Sequence, residues 1–469
     1  MEQATAAGGR HGGTAVVIGG SMAGMLAARV LADHFARVVL VERDRFPAGP
    51  EGRKGVPQGR HVHALLMRGG AILEDLFPGL QDELGAAGAP RLDTIDDFAW
   101  FTTAGWAVRF PSGLETHGCT RDLLDWAVRR RVAAYPRIEF REECDVTGLL
   151  PDAAGTGVAG VRLRARGPGA AAEEELRAAL VVDASGRSSR APAWLQALGY
   201  PAVEETVINP FIGYATRCYA PPPGFQARWK VLLVGSALPE MRRGGGIVPI
   251  EGGRWLVTLS GAGRDYPPTD ERGFLEFARS LRTPALYEAI KDAPPLGPIA
   301  GYRATENRWR RYERLARRPE RFVVLGDAAC CFNPVYGQGM SAAALAAMTL
   351  DGCLRAARPG DLRGVSRRFQ RRLARTNARL WLLATGEDFR CRETEGGRPG
   401  PLTRLAHRYM DRVILRATHD GAVRMRLLEV LHLLRPAQAL VAPRIAWAVL
   451  RPRAGHAPAL APLTMEQPG

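Results

Sequence analysis

The sequence predicts an α/β protein with three parts: an N-terminal β-α-β unit, an inserted and mostly antiparallel β-sheet domain, and a helical C-terminal region. The apolar run TAVVI (Thr14–Ile18) is followed by closely spaced glycines, an amphipathic segment and a second apolar run at residues 38–42, which is the order of a β-α-β unit. Between residues 200 and 300, runs such as GYATRCYA and KVLLVGS alternate with prolines and glycines, which favours antiparallel strands. From Ser341 onward the pattern is chiefly helical.

Length and composition are those of a globular protein. The chain has 469 residues, of which 46% are hydrophobic and 24% charged, and this length allows about two to three domains. The net charge is +16, but arginine supplies nearly all of it, because Lys54, Lys230 and Lys291 are the only lysines. The arginines are dispersed and accompany no RNA- or DNA-binding motif, so we expect a solvated basic surface and no nucleic-acid partner.

Cysteine usage and hydropathy predict a cytoplasmic protein. The seven cysteines include no C-x-x-C pair, which argues against a disulfide framework. The first residues lack the apolar region of a signal peptide, and no uncharged run reaches the length of a membrane span. Residues 436–450 are apolar around Arg444, and both an ordinary packed helix and a weak contact with a membrane surface stay open.

No metal site is expected. His61 and His63 have no cysteine or carboxylate neighbours at metal-ligand spacing, and H-E-x-x-H does not occur. These two histidines are expected to serve the structure of a loop.

The turn after the first apolar run carries a dinucleotide-binding pattern. Its three key positions are Gly19, Ser21 and Gly24, where the usual pattern G-x-G-x-x-G has glycine throughout. Gly19 would make the tight turn and Gly24 would let helix and strand approach, while Ser21, flanked by Gly20, is a departure that the turn should tolerate. The helix N-terminus then offers free N–H groups to a pyrophosphate. Glu42, which ends the second apolar run, is the acid expected at a ribose, and its charge favours FAD or NAD over NADP.

Two residues near this pattern raise alternatives. Ser21 as a hydrolase nucleophile would need G-x-S-x-G, and the last position here is Ala23, so this alternative is set aside. Arg121 begins a predicted helix capped by Thr120, where an arginine opposes the helix dipole. A bound anion and an ordinary exposed side chain both remain open as explanations of Arg121.

Two later segments repeat the order of strand, acid and turn. VVDASGRSSR places Asp183 after a buried run, and VVLGDAACCFNP places Asp327 after another. Open parallel sheets bind ligands at the carboxyl ends of their strands, so we expect these segments and the first turn to grip an extended dinucleotide. Cys330 and Cys331 are expected to be small buried spacers, because no other thiol motif supports redox chemistry.

Together these motifs resemble a known family. GGSMAG with VERD, DASGRSSR and GDAACCFNPVYGQGMSAA, in this order over residues 14–350, resemble the single-component FAD-dependent monooxygenases of the para-hydroxybenzoate hydroxylase fold. Within that family, RKGVPQGRHVH and FNPVYGQGMS look most like the epoxidases of polyether antibiotic pathways, which act on monensin and lasalocid precursors. The resemblance implies a Rossmann-like FAD-binding domain at 12–75, 111–199 and 301–365, an inserted, mostly antiparallel substrate-binding domain at 76–110 and 200–300, and a C-terminal helical region at 366–469.

The resemblance also implies which residues bind the cofactor. At the adenosine diphosphate end, the expected FAD contacts are Gly19, Ser21, Met22, Ala23 and Gly24 at the pyrophosphate, Glu42 and Arg43 at the adenosine, and Val146 at the adenine. Arg121 is expected at the phosphate or ribityl region, Asp327 at the ribityl chain, and Asp183 in a segment used for both FAD and the nicotinamide donor. At the flavin end, the expected contacts are Arg60 on the flavin side and Pro334, Gly337, Gly339 and Met340 at the isoalloxazine ring. Because GQGM opens a helix, its N–H groups can stabilise the negative charge of reduced flavin. Gly337 and Gly339 let the ring approach the backbone.

The reaction implied by the resemblance is an oxygenation. In this family NADH or NADPH reduces FAD, molecular oxygen adds, and a flavin hydroperoxide transfers oxygen, so the cofactor carries the chemistry and no catalytic triad is expected. The expected substrate is an apolar natural-product intermediate such as a polyketide alkene, epoxidised or hydroxylated by a monomer or homodimer. Hydroxylation of an aromatic polyketide, and a reductase or cyclase of the same fold, stay open. A flavin halogenase is disfavoured, because no two tryptophans are spaced as in W-x-W-x-I-P.

A predicted hairpin at residues 98–110 carries four aromatic residues. Phe98, Trp100, Trp106 and Phe110 lie at even spacings, which predicts that they share one face of a strand pair. Trp100, Trp106 and Phe110 are the expected substrate contacts, and plain core packing stays open for them.

Overall fold

The computed structural model describes residues 10–167 and 173–451. Its strands are β1 Thr14–Ile18, β2 Arg37–Val41, β3 Arg91–Asp93, β4 Phe98–Thr102, β5 Gly105–Trp106, β6 Glu115–His117, β7 Ile138–Arg141, β8 Cys144–Pro151, β9 Val158–Ala165, β10 Glu174–Arg177, β11 Leu180–Asp183, β12 Glu205–Ile208, β13 Gly213–Tyr219, β14 Val231–Val234, β15 Arg243–Ile250, β16 Arg254–Gly261, β17 Ala300–Tyr302, β18 Asn307–Arg310, β19 Phe322–Val324 and β20 Cys330–Cys331. Its α-helices are α1 Met22–Leu31, α2 Met67–Leu76, α3 Leu80–Ala86, α4 Arg121–Ala133, α5 Ala191–Ala197, α6 Glu271–Arg279, α7 Ala285–Ile290, α8 Gly339–Arg355, α9 Val365–Asp388, α10 Pro401–Arg416, α11 Gly421–Leu431 and α12 Pro443–Leu450. This mixed α/β architecture with a helical C-terminal region confirms the predicted fold class.

A parallel sheet of five strands, in the order β19-β11-β1-β2-β7, organises the first core. Its strands are short apolar runs, and Val16, Val39 and Val181 are fully buried, as expected for a sheet covered by helices on both faces. The helix α1 connects β1 to β2 and packs against α4 and α8. Val17 pairs with Leu40 on one side and with Val182 on the other, so neighbouring strands end at the same level.

The loops that leave the carboxyl ends of four strands therefore meet at one edge of the parallel sheet. These loops are the glycine turn after β1, the segment from Glu42 after β2, the turn after Asp183 in β11, and the segment with Asp327 after β19. The edge is where open α/β sheets bind ligands.

A second sheet of seven strands has the order β17-β13-β16-β15-β14-β4-β5. All its neighbouring strands are antiparallel except β14 and β4, which agrees with the prediction for this region. One face packs against α6 and α7, where Phe274 and Leu286 join Ile247 and Val257 in a common core. The sequence interpretation missed these two short helices within a segment dominated by strands.

The hairpin of β4 and β5 forms as predicted, but its aromatic residues do not share one face. Trp106 pairs with Phe101 across the hairpin, their ring centroids lie 4.9 Å apart, and both pack on the face that carries α6 and α7. Trp100 lies on the opposite face, where it and Phe110 pack against the C-terminal helices. The one-face prediction is wrong for Trp106, because the turn pairs Thr102 with Gly105 and so places Trp106 on the face opposite Trp100. Phe110 lies beyond the end of β5.

The helix α3 bears on the expected boundary at residue 76. Leu80 and Leu84 of this helix, together with Ala89, belong to the core of the parallel sheet. These residues therefore pack with the parallel sheet, and the boundary at residue 76 stays a prediction.

The C-terminal helices α10, α11 and α12 form a smaller core of their own. Val413, Val423, Leu427 and Ile445 are buried in it, and β4 contributes Trp100 to its edge. Within residues 10–167 and 173–451, no helix is long and apolar enough to cross a membrane.

Candidate functional site

A cavity of about 550 Å³ opens at the carboxyl edge of the parallel sheet. Most of the predicted cofactor residues line it. They are Gly19, Ser21, Met22, Ala23, Glu42, Arg43, Arg121, Val146, Asp327, Pro334, Gly337, Gly339 and Met340. The predicted residues that do not line it are Gly24, Arg60 and Asp183, and none of Trp100, Trp106 and Phe110 does.

The glycine turn after β1 is as tight as its pattern predicts. Gly19 has φ +97°, a conformation that side chains disfavour. A Cβ on Gly20 would lie 2.6 Å from the ring of Phe46 and 2.8 Å from Leu40, so the glycine beside Ser21 leaves room for the neighbouring strand. A Cβ on Gly24 would lie 1.7 Å from the carbonyl oxygen of Gly19. Gly24 therefore allows α1 to pack closely on β1 and acts from behind the cavity wall.

Glu42 is fixed at the end of β2 by three contacts. Its carboxylate accepts hydrogen bonds from the backbone N–H of Gly20 at 2.8 Å and of Asp44 at 3.0 Å, and it forms an ion pair with Arg53 at 2.9 Å. Arg53 also donates to the carbonyl oxygen of Gly20 at 2.9 Å. These contacts hold the carboxylate beside the turn, in the place expected for a ribose partner.

Arg53 is a wall residue that the sequence interpretation missed. It belongs to RKGVPQGRHVH, and the same segment contributes Gln58, Val62 and His63 to the cavity wall. Arg60, the arginine that the resemblance implies on the flavin side, is exposed and does not line the cavity. A loop without periodicity gives no signal for which of its arginines turns inward.

Arg121 is buried, so it is not an ordinary exposed arginine. Thr120 caps α4 by accepting a hydrogen bond from the N–H of Leu123 at 3.2 Å. The guanidinium of Arg121 donates to Asp125 at 2.6 Å and to the Ser21 hydroxyl at 3.0 Å. It therefore presents positive charge at the middle position of the glycine pattern, where a phosphate is expected.

The histidines of the 57–64 loop are neutral groups. Burial, with nearby arginines, lowers the pKa of His61 and of His63 to about 4. His63 lines the cavity, whereas the Nδ1 atom of His61 lies 2.7 Å from the hydroxyl of Thr216 in the second sheet. The loop thus joins the cavity to the seven-stranded sheet.

Asp183 does not reach the cavity, so its predicted direct contact is corrected. The carboxylate is fully buried and accepts hydrogen bonds from the backbone and side chain of Ser185 at 2.9 and 2.6 Å and from the hydroxyl of Ser189. These bonds shape the turn at residues 184–190, whose members Ser185, Arg187 and Arg190 line the cavity instead. Asp183 positions this turn.

Asp327 presents a free acceptor to the cavity. Its carboxylate lines the wall, and no hydrogen bond to it comes from the part of the chain that the structure describes. Burial raises the pKa of Asp327, while the guanidinium groups of Arg187 and Arg121 act in the opposite direction. A carboxylate with unused acceptor sites facing a cavity fits a ligand that carries hydroxyl groups.

The loop at residues 334–340 leads into the N-terminus of α8. Gly337 has φ +64°, and a Cβ there would lie 2.9 Å from the Cβ of Ala64. Gly339 begins α8 and meets nothing within 4 Å of an added Cβ, so the space before the helix is open to the cavity. The first N–H groups of a helix have no partner within the helix and carry partial positive charge. This end of the cavity can therefore hold the electron-rich edge of a planar ring.

A buried polar cluster holds that loop in place. The Asp388 carboxylate at the end of α9 accepts hydrogen bonds from the hydroxyl of Tyr336 at 2.8 Å, from the amide of Asn333 at 3.0 Å and from the amide of Asn307. Asp388 is 1% exposed, and burial raises its pKa to about 6. The sequence interpretation missed this cluster because Asp388 lies 55 residues from Asn333.

The vicinal cysteines form a spacer between Asp327 and this loop. Cys330 and Cys331 make the two-residue strand β20, which pairs with Trp309 and Arg308 of β18. Burial raises the pKa of Cys331 to about 12 and that of Cys330 well above its ordinary value. Protonated buried thiols are unreactive, which agrees with a packing role.

These features fit FAD. The glycine turn with Glu42 matches an adenosine diphosphate, Arg121 supplies charge beside it, the unused Asp327 acceptor suits a ribityl chain, and the open space before Gly339 suits a ring. The family model described as "FAD binding domain" matches residues 13–361.

The chain belongs to the FAD binding domain family.

One curated relative and several solved structures extend the comparison. Protein Rv3254 of Mycobacterium tuberculosis is 34% identical over 387 residues, covering 79% of this chain and 78% of that protein. A probable FAD-dependent monooxygenase, PqsL of Pseudomonas aeruginosa, has a TM-score of 0.60 at 20% identity and covers 81% of this chain and 97% of its own. The flavin-dependent brominase Bmp2 has a TM-score of 0.63 at 16% identity, covering 88% and 93%. The flavin-dependent halogenase CmlS has a TM-score of 0.61 at 19% identity, covering 89% and 77%. At these identities the structural similarity establishes the fold.

The opening before α8 gives a first prediction. Gly339→Ala should weaken FAD binding or shift the flavin absorbance spectrum, because the new methyl group enters the space for the ring. Gly352→Ala, later in the same helix, also meets nothing within 4 Å and serves as the matched control. Both variants should fold with unchanged or slightly raised melting temperature, since alanine stabilises helices over glycine. Equal flavin affinity and equal spectra in the two variants would contradict the placement.

The second prediction concerns Glu42. Glu42→Gln should raise the dissociation constant of FAD roughly 10-fold, as expected for the loss of charged hydrogen bonds, because the Gly20 turn and Arg53 lose their anionic partner. Glu139→Gln in the neighbouring strand removes an exposed ion pair with Arg37 and should leave the affinity unchanged. Flavin fluorescence titration of the apoprotein measures both, and equal affinities would refute the role of Glu42.

The third prediction concerns the polar cluster at α9. Asp388→Asn should lower the free energy of unfolding by about 1–3 kcal/mol, because an amide N–H then faces donors inside the core. Asp411→Asn, which alters a more exposed ion pair with Arg390, is the control and should change stability little. Urea unfolding of the FAD-loaded proteins provides the comparison, and an unchanged midpoint for Asp388→Asn would count against the cluster.

Proposed function

We propose that the protein is an FAD-dependent monooxygenase that uses NADH or NADPH and molecular oxygen to transfer one oxygen atom to an apolar natural-product intermediate. The observation that carries this proposal is the position of the α8 N-terminus. It faces the end of the cavity where the 334–340 loop and His63 lie near the seven-stranded sheet, so a bound flavin ring would lie between the helix end and that sheet.

Bound FAD would supply the redox chemistry, accepting a hydride from the nicotinamide and passing electrons to oxygen. The residues of the chain would bind and orient it. The N–H groups at Gly339 and Met340 stabilise negative charge on the ring, and Arg121 and Arg187 hold positive charge near the phosphate and ribityl regions. His63 is neutral and adds no charge beside the ring, so the helix end would stabilise the negative charge of the reduced ring.

The donor is proposed to approach the turn at residues 184–190. The Asp183 carboxylate accepts a hydrogen bond from the backbone of this turn, and Arg187 and Arg190 of the turn line the cavity. Guanidinium groups of this kind can contact the phosphates of a nicotinamide dinucleotide.

Epoxidation of a polyketide alkene is the proposed reaction, with hydroxylation of an aromatic polyketide as its alternative within the same class. The support is the likeness of RKGVPQGRHVH and FNPVYGQGMS to polyether-pathway epoxidases. Both segments contribute to the cavity wall through residues such as Gln58 and Pro334. The absence of W-x-W-x-I-P from the sequence disfavours halogenation.

The fourth prediction tests the oxygenation. FAD-loaded protein, given NADH or NADPH with panels of polyenes and aromatic polyketides in chloride- and bromide-containing buffer, should consume oxygen in proportion to a product that gains one oxygen atom. Mass spectrometry and an oxygen electrode measure the two quantities. Reduced flavin that reoxidises at the same rate with every compound, without product, would indicate a reductase, and a halogenated product would indicate a halogenase; either result overturns the proposal.

A further inference from the structure

Arg424 of α11 is a buried cation without a counter-ion. Its side chain is 1% exposed, and its Nε and Nη1 atoms are buried without a hydrogen-bond partner. No ion pair or hydrogen bond to its guanidinium comes from residues 10–167 or 173–451. The guanidinium makes a cation–π contact with Trp100, whose ring centroid lies 4.8 Å from the guanidinium carbon.

The surroundings of Arg424 offer no compensating negative charge. Burial lowers the pKa of Arg424 to about 10, and no carboxylate of the described residues acts on it. His432, which follows the last residue of α11, has its pKa lowered to about 4 by burial and by Arg424 itself, so it is neutral. Burying a guanidinium without a partner is unfavourable, and an anionic ligand would offset that cost.

Trp100 places this cation on a defined face of the seven-stranded sheet. Its strand neighbours Ala99 and Phe101 pack in the core with α6 and α7, so Trp100 and Arg424 lie on the other face. The sheet register aligns one row of residues across five strands of this face. The row consists of Thr216, Thr258, Gly246, Leu233 and Trp100, each directly opposite the next.

The far end of this row reaches the FAD site. Thr216 is hydrogen-bonded to His61, whose ring centroid lies 5.5 Å from that of Tyr302. Tyr302 and the two residues after His61 line the cavity. Since neighbouring strands are about 4.8 Å apart, Thr216 and Trp100 are separated by about 19 Å.

Three of the five residues of this row are partly exposed, whereas Thr216 and Gly246 are buried. Thr258, Leu233 and Trp100 are partly exposed, whereas Val257 and Leu232 on the opposite face are fully buried. The strip is mainly apolar, with two threonine hydroxyls next to the FAD site and a cation at the distant end.

We propose that Arg424 binds the carboxylate of an elongated apolar substrate that lies along this row, with its other end at the flavin. The inference rests on the proposed function for the identity of the ligand as a substrate. The guanidinium fork matches a carboxylate in two parallel hydrogen bonds, and the row length fixes how far the carboxylate lies from the oxygenated end.

The fifth prediction uses binding alone, with oxidised FAD-loaded protein and no reductant. Decanoate, methyl decanoate and decan-1-ol serve as probes at pH 8, and calorimetry measures their affinities. Decanoate should bind the natural protein roughly 10- to 100-fold more tightly than its methyl ester, the range expected for a charged hydrogen bond. Arg424→Met should abolish that preference while it keeps the affinity for the ester, and Arg424→Lys should retain part of it.

Two further comparisons separate binding from folding. Arg426→Met removes a guanidinium on the same helix that is paired with Glu429 at 2.8 Å, and it should leave the preference for decanoate intact. Decanoate should raise the melting temperature of the natural protein and of Arg426→Met, but not that of Arg424→Met. Because neither measurement involves turnover, they stand even if the oxygenation itself fails.

Several results would overturn the assignment. Failure of decanoate to bind the natural protein, equal affinity for decanoate and its ester, or an undiminished preference in Arg424→Met would each show that the guanidinium serves only to pack on Trp100.

Discussion

The rest of the structure depends on the register of the parallel strands, which aligns their carboxyl ends at one edge of the sheet. Because β1, β2, β11 and β19 run in one direction in close register, the glycine turn, Glu42, the turn after Asp183 and Asp327 are delivered to one edge. The close packing of α1 on β1 at Gly24 sets the position of the first helix N-terminus. A change that separated these two elements would displace the glycine turn, where we propose that the pyrophosphate binds, from the other residues of the site.

The ring end of the site depends on a different part of the chain. The loop at residues 334–340 is held by Asp388 at the end of α9, and Tyr214 of the second sheet donates to Asn333 at 3.3 Å. The C-terminal helices and the antiparallel sheet thus meet at the segment that we propose faces the flavin. This arrangement links the orientation of the ring to the surface on which the substrate is proposed to lie.

The sequence predicted the parts of the site that local chemistry determines. Gly19, Glu42 and Asp327 each follow an apolar run that predicts a strand. Because the carboxyl ends of parallel strands meet at one edge of the sheet, the sequence pattern predicts that these residues lie close together. Asp183 was recognised as an acid at a strand end, but whether its carboxylate faces the cavity or its own turn depends on two serine hydroxyls. Asp388 and Arg424 could not be found, because their importance comes from burial and from partners, or the lack of them, across long sequence separations. The prediction that the hairpin aromatics share one face was wrong for Trp106, because the length of the turn decides which face of the sheet this residue occupies.

The most direct test of the central claim is the crystal structure of the protein with FAD bound. The account predicts isoalloxazine density within hydrogen-bonding distance of the N–H groups of Gly339 or Met340, ribityl hydroxyls at Asp327, and the adenosine ribose at Glu42. Density for the adenine at the α8 N-terminus, or for the ring away from the 334–340 loop, would contradict it.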